Sequence, residues 1–207
     1  MNQIDEKRAP TRDECLRLMD QFGMLENITD HSLTVTEVAL FLSKALNKKG
    51  QQIDLRLVEA ASLLHDLAKT ECLKTKEDHA QAGFRLLKKL GYERVAEVVA
   101  QHIEVSRERD CPYVSEEEVV NYADKRVRHD RIVSLAERFR DLKDRYGHLQ
   151  GALNQMDRLE KATFEIEEKI FSILGTDPKD LQRLQALIRE EGNDEQRLRK
   201  RTNSASE

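Results

Sequence analysis

Residues 54–69 read DLRLVEAASLLHDLAK. Leu57, Ala61, Leu64 and Ala68 recur at three- and four-residue steps, which puts them on one apolar face of an α-helix. Asp54 stands at the N-cap position, where a carboxylate accepts from otherwise unpaired backbone amides. His65 and Asp66 fall in the last turn beside that face. Burying such groups without partners costs several kcal/mol each, so their presence there needs a reason.

The same conflict repeats along the chain. His31 heads the stripe Val35, Val38, Leu42 and Ala45. His79 is in register with Gly83, Leu86 and Leu90, and His102 with Val95, Val98 and Val99. Asp124 shares a face with Val120 and Val127. Taken singly, each histidine reads as a hydrogen-bonded core residue and each aspartate as a cap or a solvated charge. Taken together, successive helices each point an imidazole or carboxylate inward. One or two cations with ligands converging from different helices would resolve the burial cost. His129 lies on a charged stretch and His148 follows Gly147 in a loop, so neither is expected as a ligand.

Composition agrees with an all-α body. With 207 residues, the chain has room for one domain, or one domain and an extension. Only 8 Gly, 3 Pro and no Trp argue against a turn-rich β fold. Charged residues at 36% suit helices that each bury one stripe. Periodicity and caps predict helices at about 11–22, 28–48, 54–68, 78–90, 92–104, 115–128, 131–146, 151–174 and 178–190, with no strand and no internal repeat. Residues 1–150 read as the main domain and 151–191 as a helical extension packing on the core or a second subunit, which leaves room for a homodimer. The charged stretch 192–207, with its RLRKR cluster, is expected to be disordered.

Lys+Arg 35 against Asp+Glu 39 gives a net charge of −4, which disfavours a bulk nucleic-acid binder. No apolar run is long enough to span a bilayer. MNQIDEKRAP is charged where a secretory leader would be apolar, so a cytoplasmic location is expected. Cys15, Cys72 and Cys111 are spaced as neither a disulfide framework nor a metal pair and read as reduced thiols.

The inward ionisable residues also have a diagnostic order. His31, then His65-Asp66 within AASLLHDLAKT (60–70), then Asp124 within NYADKRV (121–127) form the pattern H…HD…D. In this the sequence resembles the HD-domain metal-dependent phosphohydrolases over about residues 27–135. The resemblance implies an HD-domain helical bundle with extra C-terminal helices. It also implies a metal held by His31, His65, Asp66 and Asp124, and a second held by bridging Asp66 with His79 and His102. Such ligands favour Fe, Mn, Zn, Ni or Co, and coordination lowers the pKa of water to about 7. Hydrolases of symmetrical dinucleoside tetraphosphates look similar. So do HD domains fused to molybdopterin nucleotidyltransferases, although 207 residues leave no room for that partner. The GYP element of cyclic-di-nucleotide phosphodiesterases is missing.

On this reading the substrate is a small phosphorylated molecule such as a nucleotide. Asp66 and Lys69 are candidate catalytic residues, and Lys69, Lys125, Arg128 and Arg131 are candidate phosphate ligands. Arg128 and Arg131 follow Asp124 by four and seven residues and would flank it if the helix continues. Arg107, Arg109 and Tyr113 sit in a loop that could meet substrate. Two other readings stay open. One is a catalytically silent metal- or nucleotide-binding regulatory module. The other is a structural helical protein with satisfied histidines.

Overall fold

Capping chemistry sets where the helices begin. In the computed structural model, which describes residues 8–106, 111–148 and 151–181, α1 (Arg12–Gln21) starts on a Thr11–Glu14 capping box. α2 (Glu26–Lys48) follows, and α3 (Leu55–Leu64) is capped by the Asp54 carboxylate on the amides of Arg56 and Leu57. α4 (Lys69–Thr75) and α5 (His79–Lys89) come next, the latter capped by Asp78. α6 (Glu93–Ala100) leads to α7 (Glu116–Lys125), which opens on a Ser115–Glu118 box. Strands β1 (Val127–Arg128) and β2 (Arg131–Ile132) form a minimal antiparallel hairpin. α8 (Leu135–Tyr146) starts on a Ser134–Glu137 box, and α9 (Ala152–Leu174) ends on Gly175 at φ 70°.

Among the described residues the fold is all-α apart from that hairpin. α2 is the central pillar, flanked by α3 and α7. Val35, Val38 and Leu42 of α2, Ala61 and Leu64 of α3 and Val120 of α7 are completely buried together. Each such aliphatic side chain contributes about 1.5–3 kcal/mol by leaving water. α5 and α6 pack as a pair; a Cβ at Gly83 would stand 3.1 Å from Val99 Cγ1, so the glycine permits the close approach. α9 lies on α8, α7 and α2, burying Ile166, Ile170, Phe171 and Leu174. Among the described residues, no helix is long and apolar enough to cross a membrane.

Four predicted helices are shorter than their periodicity suggested. The helix from Asp54 stops at Leu64 instead of running to Ala68. A tight turn, Leu67 N–H to Leu64 O at 3.0 Å and Lys69 N–H to Asp66 O at 2.9 Å, restarts the chain as α4. α6 stops at Ala100, leaving His102 in the following turn. α7 stops at Lys125 because Val127 and Ile132 pair across the hairpin, with His129 at φ 57° in its turn. The predicted helix at 131–146 therefore starts only at Leu135. The predicted helix at 178–190 is described only as a 3₁₀ turn, Pro178–Asp180, and the stretch 192–207 lies outside the described residues.

A buried arginine locks these pieces together. Arg126, 2% exposed, donates from Nη1 to Glu167 Oε2 of α9 (3.1 Å), from Nε to the Val133 carbonyl (2.7 Å) and from Nη2 to the Pro178 carbonyl (3.2 Å). Its Nη1 also meets the Tyr122 hydroxyl, which donates to Glu167 Oε2 at 2.6 Å. One guanidinium thus joins α7, the hairpin exit and α9.

Candidate metal centre

The turns after α3 and α6 turn side chains inward that a continuous helix would have fanned around its axis. His31 projects from α2, His65 and Asp66 from the α3–α4 turn, and His79 from the first residue of α5. His102 comes from the turn after α6, and Asp124 from the last turn of α7. All six converge. His31 Nε2 lies 3.0 Å from Asp124 Oδ1, and His65 Nε2 lies 3.8 Å from that oxygen and 3.4 Å from Asp66 Oδ2. The other Asp66 oxygen, Oδ1, faces His79 Nε2 at 3.3 Å and His102 Nε2 at 3.8 Å. Asp66 therefore stands between two donor groups, His31–His65–Asp124 on one side and His79–His102 on the other.

Three of the four imidazoles are oriented by backbone carbonyls. His31 Nδ1 donates to His129 O at 2.9 Å, His65 Nδ1 to Ser62 O at 2.7 Å and His102 Nδ1 to Val99 O at 2.7 Å. A carbonyl only accepts, so each Nδ1 carries a proton and each Nε2 is the atom turned to the centre. His79 Nε2 and His102 Nε2 stand 3.2 Å apart. His65 Nε2 and Asp66 Oδ1 are buried with no hydrogen-bond partner among the described residues. Convergent lone pairs and orphaned buried donor atoms are costly on their own and are what a bound cation satisfies. The donor set, imidazole nitrogens and carboxylate oxygens, suits a divalent transition metal in either group.

Electrostatics keep both aspartates ionised and favour the neutral, ligating form of His79 and His102. Burial raises both aspartates, but the charges of His65 and Lys69 hold Asp66 well below the usual carboxylate range, and Lys125, His31 and His65 do the same for Asp124. Burial and the neighbouring His65 push His102 down to about 3, and burial lowers His79. For His65, burial is outweighed by Asp66 and Asp124, and the net shift is upward.

The two lysines named from sequence also reach the centre. Lys69 Nζ donates to Asp66 Oδ2 at 2.7 Å. Lys125 Nζ donates to Asp124 Oδ2 at 2.7 Å and to His102 O at 3.0 Å, and it is buried, which makes it a brace for two donor residues. Arg128 and Arg131 do not flank Asp124, because α7 ends before them. They are exposed on the hairpin outside the cavity, with Arg128 3.6 Å from Asp141. Arg107 and Arg109 lie outside the described residues, and Tyr113 is exposed.

The centre forms the floor of a cavity of about 350 Å³. Its far wall comes from α8 and α9: Phe139, Leu142, Tyr146, Met156 and Leu159. Arg138, Arg145 and His129 also line it, none of them expected from sequence. His129 acts through its main-chain oxygen, which leaves no side-chain signal. The arginines had one: Arg138, Asp141 and Arg145 are spaced three and four residues apart on a single helix face.

This geometry coincides with a family match. The HD domain model matches residues 28–141, more than half of the chain and the whole span from His31 to Asp124. The chain belongs to the HD-domain family. Three relatives of this HD-domain protein set its context. A tRNA (cytidine(56)-2'-O)-methyltransferase of Picrophilus torridus is 31% identical over 191 residues, which cover 84% of this chain and 50% of that enzyme. An uncharacterised protein of Methanocaldococcus jannaschii is 29% identical over 132 residues, 55% of this chain and 77% of the relative. A second tRNA (cytidine(56)-2'-O)-methyltransferase, of Thermoplasma volcanium, is 32% identical over 98 residues, 47% of this chain and 27% of that enzyme. The chain thus spans half the length of the first methyltransferase or less of the second. No solved structure matches it significantly.

Proposed function

We propose that this HD-domain protein is a metal-dependent phosphohydrolase acting on a small phosphorylated molecule such as a nucleotide. The observation that carries the proposal is Asp66, an ionised buried carboxylate with one oxygen toward His65 and the other toward His79 and His102. His31, His65, Asp66 and Asp124 would hold one divalent metal; Asp66, His79 and His102 would hold the second. Bound there, the metals would supply a water acidic enough to attack at neutral pH and positive charge for the phosphoryl oxygens.

The chain's own residues do the rest. The carbonyls of His129, Ser62 and Val99 hold three imidazoles in one tautomer. Lys125 fixes Asp124 and the His102 turn. Lys69, about one-third exposed and touching Asp66, can exchange part of that contact for a phosphoryl oxygen and serve as its point charge. Hydrolysis forms a phosphorus–oxygen bond to water, breaks the one to the leaving group, and delivers a water proton to the departing oxygen. The wall of α8 and α9 covers one side of the cavity, so the C-terminal helices take part in binding.

A second reading is favoured by the relatives' names. Two of them are tRNA methyltransferases of which this chain matches a part, so the same fold could serve as a metal- or nucleotide-binding module beside RNA-modifying chemistry. Metal analysis of untagged protein, paired with a nucleotide and nitrophenyl-phosphate hydrolysis panel across Mn, Fe, Co, Ni and Zn, separates the readings. The hydrolase predicts about one to two equivalents of metal and turnover. Metal without turnover supports the module. Less than about a tenth of an equivalent under retaining conditions overturns the hydrolase and the metal-binding form of the module.

A further inference from the structure

We infer that the cavity is built for a phosphomonoester dianion in preference to a phosphodiester, and that Arg138 and Arg145 make this choice. The inference rests on the hydrolase reading of the same site. It starts from a charge imbalance on the wall that faces the metal ligands. Asp141 of α8 is approached by three guanidiniums: Arg145 Nη2 at 2.8 Å, Arg138 Nη1 at 3.4 Å and Arg128 Nε at 3.6 Å. Asp141 is the one ion-pair partner recorded for each of them among the described residues. One carboxylate cannot neutralise three cations, and two of the three, Arg138 and Arg145, line the cavity.

The imbalance is directed at the site. The Arg138 side chain is only 12% exposed, and its Nε is shielded from solvent with no hydrogen-bond partner among the described residues. Arg138 and Lys69 both line the cavity, Arg138 from the α8 wall and Lys69 beside Asp66 on the floor. Arg145 lines the cavity on the same wall, with Nη2 3.4 Å from Nε2 of His129, the residue whose carbonyl orients His31. Lys69 and Lys125 are already paired with the two ligand aspartates. The arginines therefore supply the positive charge that the floor does not itself offset.

A phosphomonoester answers this charge with two negative charges and three unesterified oxygens, enough to meet the floor and still accept from a guanidinium fork. A diester brings one charge and two free oxygens and leaves the wall's cations uncompensated. Size points the same way. A cavity of about 350 Å³ lies at the small end of ligand sites. One apolar wall, with Leu142 and Leu159 on it, offers a surface for a single ester substituent.

The test uses the full chain loaded with Mn²⁺ and compares p-nitrophenyl phosphate with bis(p-nitrophenyl) phosphate. The monoester is expected to have at least about a tenfold higher kcat/KM. Arg138→Gln should raise KM for the monoester about 10- to 100-fold while changing the diester's KM less than about threefold. Arg138→Lys should recover part of the loss. Arg145→Gln, at a half-exposed position where folding is not at stake, should move the same ratio in the same direction. A diester preference, or an unchanged ratio in both glutamine variants, overturns the inference and leaves the hydrolase standing. If metal-loaded protein hydrolyses neither ester, the hydrolase reading fails instead. Calorimetry with phenyl phosphate and diphenyl phosphate then decides the inference alone. Tighter phenyl phosphate binding that Arg138→Gln abolishes supports it, and equal binding refutes it.

Discussion

Replacing Glu167 with alanine should destabilise the junction that Arg126 makes between α7, the hairpin exit and α9. Glu167 accepts from both Arg126 Nη1 and the Tyr122 hydroxyl, and Arg126 is 2% exposed, so its charge cannot rehydrate in place. Removing one partner of a buried ion pair costs about 3–5 kcal/mol. Here the carbonyls of Val133 and Pro178 still accept from Arg126 Nε and Nη2, which puts the expected cost near the low end, about 3 kcal/mol. At about 2–4 °C per kcal/mol for a protein of this size, Tm should fall by about 6–12 °C. Urea unfolding followed by far-ultraviolet circular dichroism should measure Glu167→Ala in two backgrounds, wild type and Arg126→Met. With the buried cation gone, the second cost should drop by at least about 1 kcal/mol. Equal costs in both backgrounds, or a wild-type loss under about 1 kcal/mol, would refute the claim that Arg126 makes Glu167 indispensable.

Three more outcomes follow from the same coordinates. His79→Ala combined with His102→Ala should remove one metal equivalent and leave the one at His31, His65 and Asp124; mass-spectrometric metal analysis showing loss of both or of neither contradicts two separable groups. Leu42→Ala, at a fully buried site in α2, should cost about 2–5 kcal/mol in urea unfolding, and a cost under about 1 kcal/mol would mean the core pillar is wrongly placed. At pH 8 a thiol reagent should label exposed Cys111 rapidly in folded protein. Cys15, fully buried with its thiol pushed up to about 12 by burial and by Glu59 and Glu14, and Cys72, also raised by burial, should react only after unfolding. Three fast thiols in native protein would contradict that.

The helices and the inward histidines were legible because both depend on local period. The step from His31 through Val35, Val38 and Leu42 puts an imidazole on a buried face whatever that face meets. The end of α3 was not legible. The pattern from Leu57 to Ala68 continues across the break, and only the tight turn separates His65-Asp66 from a regular helix. The hairpin was missed for a related reason. KRVRHDRI has no alternation long enough to read as strands, and its two-residue ladder forms where Arg126 is fastened to Val133 and Glu167. The same break carried Arg128 and Arg131 out of the cavity and brought the His129 carbonyl onto His31.

By itself, then, the amino-acid order decided that this chain is a set of amphipathic helices with His31, His79 and Asp124 on inner sides, and with His65, Asp66 and His102 just past the ends of apolar stripes. That follows because side-chain direction repeats with helical period and polar groups on a buried face must find partners. Which of those groups face each other, and that Asp66 lies between the two donor groups, was decided only when α2, α3, α5, α6 and α7 packed together. So was the charge on the opposite wall, where Arg138 and Arg145 share Asp141. Distances of 3–4 Å between residues up to 93 positions apart are properties of packing, and no local period encodes them.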